Sequence, residues 1–187
     1  MRIFRVFAVA VAAILLLNGF WSGKSVEQLR KERLDSSAKT LQLLYKYAPN
    51  THEMISSAYG YATFSSLGVN VVFFAAGGGK GLAHNNITGQ NIYMDMGTAG
   101  VGLGLGVKDF RVIFIFANKK VFDYFIQHGW QANIQADAAA KYKKKGSALN
   151  GSLSVMPGVR LYTLTKDGLA LQATINGTKY WRDSDLN

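Results

Sequence analysis

The 187-residue sequence contains no cysteine, only two prolines, and 11 acidic residues against 21 basic ones. Without cysteine the chain has no disulfide scaffold, no catalytic thiol, no iron–sulfur cluster and no thiolate-ligated zinc. It also lacks the cysteine that a bacterial lipoprotein acylates. Charged residues make up 17% of the chain, below the ~25% of an ordinary soluble domain. Because 49% of the residues are hydrophobic, the composition excludes a disordered chain and suits one folded domain.

Motifs for catalysis, metal binding and nucleotide binding are also missing. The three histidines, His52, His84 and His128, do not have the spacing of helical metal ligands, and no G-x-S-x-G nucleophile elbow occurs. The run Gly77–Gly81 lacks the glycine spacing of a phosphate loop, and Leu82 stands where Ser or Thr would hold magnesium. The sequence therefore predicts no enzyme, no cofactor and no metal. An enzyme site assembled from His84, His128 and scattered acids is the least supported alternative.

Residues 1–25 have the pattern of a secretory signal peptide. Two arginines precede an unbroken apolar run of 12 residues at positions 6–17, which fits the apolar core of a signal and is shorter than the ~20 residues that span a bilayer. A small-x-small pattern ends at Ser25, the predicted cleavage site, and an uncleaved anchor is the alternative. Removal of this segment takes away three bases and no acid, so the net charge falls from +10 to +7. The prediction is an exported bacterial protein, periplasmic or secreted.

Residues 26–187 are predicted to form a single domain that begins with a helix. Apolar residues recur there at three- and four-residue spacing, Ser25 and Gln28 form a capping box, and Pro49 ends the helix. The apolar face predicts docking onto the domain core, with a helix lying on the membrane as the alternative. The apolar positions are Val26, Leu29, Leu34, Ala38, Leu41, Leu44, Tyr45 and Ala48.

The rest of the chain is predicted to be rich in strands. Lys80–Asn85 and Asn91–Met96 read as a hairpin, and residues 159–181 as a three-stranded meander whose last turn is Asn176-Gly177. Short helices are predicted at Thr51–Ala58 and at Lys119–Gln127. The predicted class is therefore α+β: a mostly antiparallel, strongly curved or barrel-like β-sheet with the N-terminal helix and one or two short helices packed on it.

Glycines concentrate in one part of the chain, with 12 of the 20 lying between Gly60 and Gly106. Those at 100, 102, 104 and 106 alternate with aliphatic residues, so in a strand they would share one almost bare face. Such a face allows close approach by another chain. The alternative function is accordingly an envelope scaffolding or protein-interaction domain that pairs with a protein partner through its glycine-faced sheet.

The only marked charge cluster surrounds Tyr142. Near an anionic membrane each basic residue contributes about 1 kcal/mol to binding, so this cluster predicts contact with phospholipid headgroups; a solvated loop is the alternative. Nucleic acid is disfavoured because an exported protein seldom meets it. Lys80 in the glycine run is a further candidate, either beside a phosphate or in a plain tight loop. The clustered lysines are Lys141, Lys143, Lys144 and Lys145.

A series of glycine-rich and aromatic segments follows a characteristic order along the chain: Gly77–Gly81, Tyr93–Gly106, Phe110–Phe116, Phe122, Phe125, Gly129-Trp130 and Val159–Asn187. In this order and spacing they resemble the SYLF domain, a lipid-binding family shared by bacterial exported proteins and eukaryotic endocytic proteins. The resemblance covers roughly residues 48–187, and it implies a non-enzymatic membrane-lipid-binding protein. Eukaryotic members favour phosphoinositides and some bind actin; for an exported bacterial relative, anionic phospholipid is the ligand that carries over. Basic residues make the lipid contact in the family, so the resemblance also points to Lys80 and the Lys141–Lys145 cluster.

Overall fold

A computed structural model describes residues 23–66, 76–99, 110–131, 153–165, 168–169 and 178–187. This part of the chain forms three helices and nine strands. The helices are α1 (Val26–Tyr47), α2 (Thr51–Ser57) and α3 (Lys119–His128). The strands are β1 (Gly60–Ser66), β2 (Ala76–Asn85), β3 (Asn91–Ala99), β4 (Arg111–Phe116), β5 (Trp130–Gln131), β6 (Leu153–Met156), β7 (Val159–Thr165), β8 (Gly168–Leu169) and β9 (Thr178–Arg182).

The strands form one antiparallel sheet in the order β5-β9-β3-β2-β1-β4-β7-β6, with β8 also paired to β7. The sheet curls into a half-barrel. Helix α1 crosses one face, which we call the outer face, and α3 packs on the other, the inner face. The predicted α+β class, its antiparallel curved sheet and its three helices are therefore confirmed.

Aromatic side chains fill the inner face. Tyr180 of β9 lies with its ring centroid 5.0 Å from that of Phe114 on β4, although three strands separate β9 from β4 in the sheet. Phe125 of α3 packs between them, 5.2 Å from Phe114. The curl of the sheet thus brings its distant strands together around one aromatic core. The other aromatic members of this core are Phe64, Phe110, Phe116 and Phe122.

Helix α1 begins with the predicted capping box: Ser25 Oγ accepts from the backbone N–H of Gln28 at 3.2 Å, and Gln28 Oε1 accepts from that of Ser25 at 2.8 Å. The predicted docking of the apolar face is confirmed in part. Leu41, Leu44, Tyr45 and Ala48 pack in one core cluster and Leu29 packs against another, whereas Val26, Leu34 and Ala38 are exposed. The buried residues of α1 are Arg33, Ser37, Thr40 and Leu44. Three of these four are polar, so apolar periodicity predicted only part of the docked face.

The glycine run of residues 77–81 is neither a phosphate loop nor a tight loop. It lies inside β2, which pairs with β1 on one side and β3 on the other, so it belongs to an interior strand of the sheet. A Cβ on Gly81 would lie 2.2 Å from Phe64 Cδ1, and one on Gly79 would lie 2.3 Å from Met96 Cε. These two glycines therefore make room for large side chains of the inner core.

The C-terminal meander is corrected at its last strand. The β2–β3 hairpin forms as predicted, but β9 pairs with β3 along one edge and with β5 along the other. Lys179 and Tyr180 pair with β3 on one side and with β5 on the other. At these two residues neither edge of β9 is free to pair with the preceding strand of the predicted meander. The predicted glycine-faced strand at 100–106 lies outside the described residues.

Candidate functional site

Among the predicted lipid-binding residues, the structure describes Lys80. Its side chain lies on the outer face of β2, 44% exposed, and its Nζ donates to both carboxylate oxygens of Asp95 at 3.1 and 3.0 Å. Lys80 is therefore half-buried in an ion pair with the neighbouring strand. The cluster Lys141, Lys143, Lys144 and Lys145 lies outside the described residues.

Asp95 belongs to a buried charge cluster centred on Arg33 of α1. Arg33 Nη2 donates to Asp95 Oδ1 at 3.1 Å and to Asp183 Oδ2 at 2.6 Å. Arg33 Nη1 donates to the backbone oxygens of Met94 at 2.6 Å and Gly81 at 3.3 Å. With Lys80 the cluster contains two bases and two acids, so the charges balance and α1 is tied to β2, β3 and the segment after β9.

Hydroxyl groups continue this polar contact along α1. Thr63 Oγ1 donates to Ser37 Oγ at 2.8 Å, and Arg111 Nη1 donates to Thr40 Oγ1 at 3.0 Å. Ser36 Oγ lies 3.0 Å from the hydroxyl of Ser65. A buried polar group is costly unless it is hydrogen-bonded, and here the partners come from strands far away in sequence.

An exposed aromatic and basic surface adjoins the Arg33 cluster. Trp181 of β9 is 40% exposed, and its ring covers Gly97, where an added Cβ would lie 2.9 Å from Trp181 Cη2. On the next strand, a Cβ on Gly78 would meet no atom of the described residues within 4 Å. With respect to the described residues, the outer face is therefore open above Gly78, and Lys80, Lys179 and Trp181 lie on the side of this opening toward β3 and β9. We call it the Gly78 notch.

The histidines do not form the hypothetical enzyme site. His84 lies on the outer face, where its Nδ1 is 2.7 Å from Asn91 Oδ1 and its ring is 5.2 Å from that of Tyr61. His128 stacks on Tyr124 at the end of α3, on the inner side of the sheet. His52 meets the Tyr45 ring at 4.8 Å instead. The described ranges contain no group of three or more His, Cys, Asp or Glu residues that could hold a metal ion.

Two buried hydroxyls on the inner face have no hydrogen-bond partner among the described residues: Tyr180 Oη and Thr163 Oγ1. Tyr180 is 1% exposed and packs against Phe64 at 4.7 Å and Phe114 at 5.0 Å. Its burial raises the pKa of the phenol well above its ordinary value. The phenol therefore stays neutral inside the core at every physiological pH.

Unpaired charge on the described residues is mostly positive. Five of the eight described acids make ion pairs, and only three have no basic partner within ion-pair distance. Eight bases lack a carboxylate partner. The unpaired acids are Glu27, Glu53 and Asp185; the unpaired bases are Arg30, Lys39, Lys46, Arg111, Lys120, Arg160, Lys179 and Arg182.

Sequence reasoning missed both the Arg33 cluster and the Gly78 notch. Nothing in the local sequence marks Arg33, since its partners Asp95 and Asp183 lie 62 and 150 residues away. Trp181 gave a weak signal, because it alternates with Lys179 along a strand and so shares a face with it. No described helix combines the length and apolarity needed to cross a membrane.

Comparison with known proteins adds one relative. No family model matches the chain. Over 170 residues the chain is 31% identical to the curated "Beta cell expansion factor A" of Aeromonas veronii. The aligned region covers 91% of this chain and 63% of that protein, so the chain spans less than two thirds of the relative's length. This chain is thus similar, over most of its own sequence, to Beta cell expansion factor A.

Proposed function

We propose that this chain is a non-enzymatic SYLF-type protein that binds anionic phospholipid headgroups at the surface of an envelope membrane. The resemblance to the SYLF domain supports this proposal. Six aromatic residues of the matching segments pack together on the inner face and act as the framework of the domain: Phe110, Phe114, Phe116, Phe122, Phe125 and Tyr180. Lipid contact then falls to the charged surface.

The excess of unpaired bases is the observation that carries the proposal. Among the described residues, eight bases have no carboxylate partner, against three acids without a base. A surface with surplus cations attracts an anionic membrane, and each base near it contributes about 1 kcal/mol. The cluster Lys141–Lys145 adds four more positive charges to the chain, and Lys80 would contribute less because Asp95 binds it.

We place the protein in the periplasm or outside the cell, on the basis of the signal-like residues 1–25. In that compartment it meets phosphatidylglycerol and cardiolipin, the anionic lipids of bacterial envelopes, and does not meet nucleic acid. Residues 26–187 are the part expected to contact lipid, either as a free protein or as one that retains its leader.

Co-sedimentation with vesicles tests the proposal. The protein should bind vesicles that contain phosphatidylglycerol or cardiolipin, bind phosphatidylcholine vesicles much less, and dissociate as salt rises because surface attraction is screened. Replacement of Lys141, Lys143, Lys144 and Lys145 by glutamine should weaken binding. Equal binding to neutral and anionic vesicles, or no binding to either, would refute the proposal.

A further inference from the structure

We propose that the Gly78 notch is a binding site for the phosphate group of an anionic phospholipid, with Trp181 and Lys179 of β9 and Lys80 of β2 as its contacts. This inference rests on the proposed function and specifies where one headgroup sits. It adds Trp181, Lys179 and the bare backbone of Gly78 to the candidates that the sequence offered.

The strand register sets the dimensions of the notch. On the outer face Gly78 pairs with Gly97, and Gly97 pairs with Lys179. Neighbouring strands lie about 4.8 Å apart, so the Lys179 backbone is about 10 Å from Gly78 across β3. Among the described residues, no atom lies within 4 Å of a Cβ built on Gly78. A group the size of a phosphate can therefore approach the strand at Gly78, beside the Trp181 ring that covers Gly97 and within reach of both lysines.

Lys80 can turn toward this opening without leaving a buried charge unpaired. It lies two residues from Gly78 on the same face of β2, and its ammonium now contacts Asp95. Asp95 is also bound by Arg33 at 3.1 Å. Arg33 remains with Asp95 when Lys80 leaves, although it then serves both Asp95 and Asp183. Lys80 is 44% exposed, and a phosphate bound between Lys80 and Lys179 would replace the contact of Lys80 with Asp95 by another contact with an anion.

The charge and the aromatic ring together select a membrane lipid as the occupant. Lys179 has no carboxylate partner among the described residues, and Asp95, which faces the notch, belongs to a cluster in which Arg33 and Lys80 balance Asp95 and Asp183. The positive charge of Lys179 is therefore in excess at the site, and it attracts an anion. The Trp181 ring, 40% exposed, borders the same opening. Indole rings favour the headgroup level of a bilayer, where one side is apolar and the other is wet. A free phosphate would use the lysines and leave the ring unused.

Three substitutions test the site in the full chain. Gly78→Leu fills open space, so the fold should be retained while the notch is blocked; circular dichroism and thermal unfolding check this. Lys179→Gln and Trp181→Phe remove single contacts. Each variant should bind vesicles of phosphatidylcholine with phosphatidylglycerol about fivefold more weakly than the wild type. Lys120→Gln is the matched control, because Lys120 is an exposed base on α3, on the other side of the sheet from the notch. It would face away from a membrane bound at the notch, so the substitution should change affinity by less than about twofold.

Two further measurements separate the sources of phosphate. Brominated phosphatidylcholine in the anionic vesicles should quench tryptophan fluorescence in the wild type, and Trp181→Phe should lose most of that quenching. Glycerol phosphate should compete weakly. If glycerol phosphate competes fully and Trp181→Phe behaves as the wild type, the site takes a soluble phosphate ester and the lipid assignment is overturned.

If all three variants bind as Lys120→Gln does while the wild type still binds anionic vesicles, the notch is overturned as the binding site and the proposed function stands. Failure of the wild type to bind these vesicles overturns both.

Discussion

In β2, neighbouring glycines face in opposite directions and have different roles. Gly81 faces the aromatic core, where a Cβ would also lie 2.6 Å from the backbone oxygen of Thr63. Gly78 faces the opposite side, where the space is open. Glycine thus allows close packing against the core at position 81, and at position 78 it leaves the outer surface of the strand open.

Alanine substitutions should separate these roles. Gly81→Ala forces Phe64 to move in a packed core, and such overpacking typically costs about 1–3 kcal/mol. Gly78→Ala meets no neighbour and should leave the free energy of unfolding unchanged or raise it by up to ~1 kcal/mol, because alanine loses less backbone entropy in a strand. Urea unfolding of both variants measures this difference. Equal stabilities would show that the space beside Phe64 is less tight than described.

Helix α1 is held on the sheet through hydrogen bonds and ion pairs as much as through apolar contact. Its buried residues Arg33, Ser37 and Thr40 contact strands β1 to β4 and the segment after β9. Leu44 provides the fully buried apolar contact near its C-terminal end. Such docking depends on every polar partner being present, because an unpaired buried charge is destabilising.

Removal of the Arg33 side chain should therefore be severe. Arg33→Ala leaves Asp183, which is 8% exposed, without its partner, and breaking a buried ion pair from one side costs about 3–5 kcal/mol. Lys31→Ala is the control, because it removes the exposed Lys31–Asp35 pair, worth about 0.5 kcal/mol or less. Chemical denaturation measures both. Adding Asp183→Asn to Arg33→Ala should restore part of the loss; a loss no larger than that of Lys31→Ala would contradict this account.

The sequence predicted the elements better than their contacts. The capping box of Ser25 and Gln28, the short helix that begins at Lys119 and the β2–β3 hairpin depend on residues within a few positions of one another, and all are present. The docked face of α1 depends on Asp95 and Asp183, which no local pattern connects to Arg33. Likewise, the glycines of β2 suggested a loop, because nothing in the local sequence shows that a strand needs glycine there. Glycine is needed at position 81 to make room for Phe64, which lies on another strand.

At the scale of the whole molecule, the half-barrel encloses an aromatic core that excludes water from a tyrosine hydroxyl. Burial raises the pKa of Tyr180 in the folded protein, whereas an unfolded tyrosine titrates near pH 10. The unfolded chain therefore releases this proton first as pH rises. The stabilising contribution is fully present below about pH 10 and is lost above it.

Tyr180→Phe should make the fold more resistant to alkali. At pH 7 the variant should be as stable as the wild type or slightly more stable, because the lost hydroxyl has no hydrogen-bond partner. At pH 11 it should be clearly more stable, since phenylalanine has no proton to release. Tyr124→Phe, at a 57% exposed position, should show neither effect. Thermal unfolding at both pH values checks the prediction, and identical alkaline losses in wild type and Tyr180→Phe would contradict it.

The pairing of β9 with β3 has a consequence for the order of folding. Arg182 pairs with Met94, and Arg33 of the first helix contacts Asp183, 150 residues away. Arg33 does not gain its contact with Asp183, nor β3 its pairing with β9, until the chain has been made as far as Asp183. Contacts of such long sequence separation slow folding, so a nascent chain would lack these two contacts for most of its synthesis. Native-state protection of α1 against hydrogen exchange should accordingly appear late and together with that of β9.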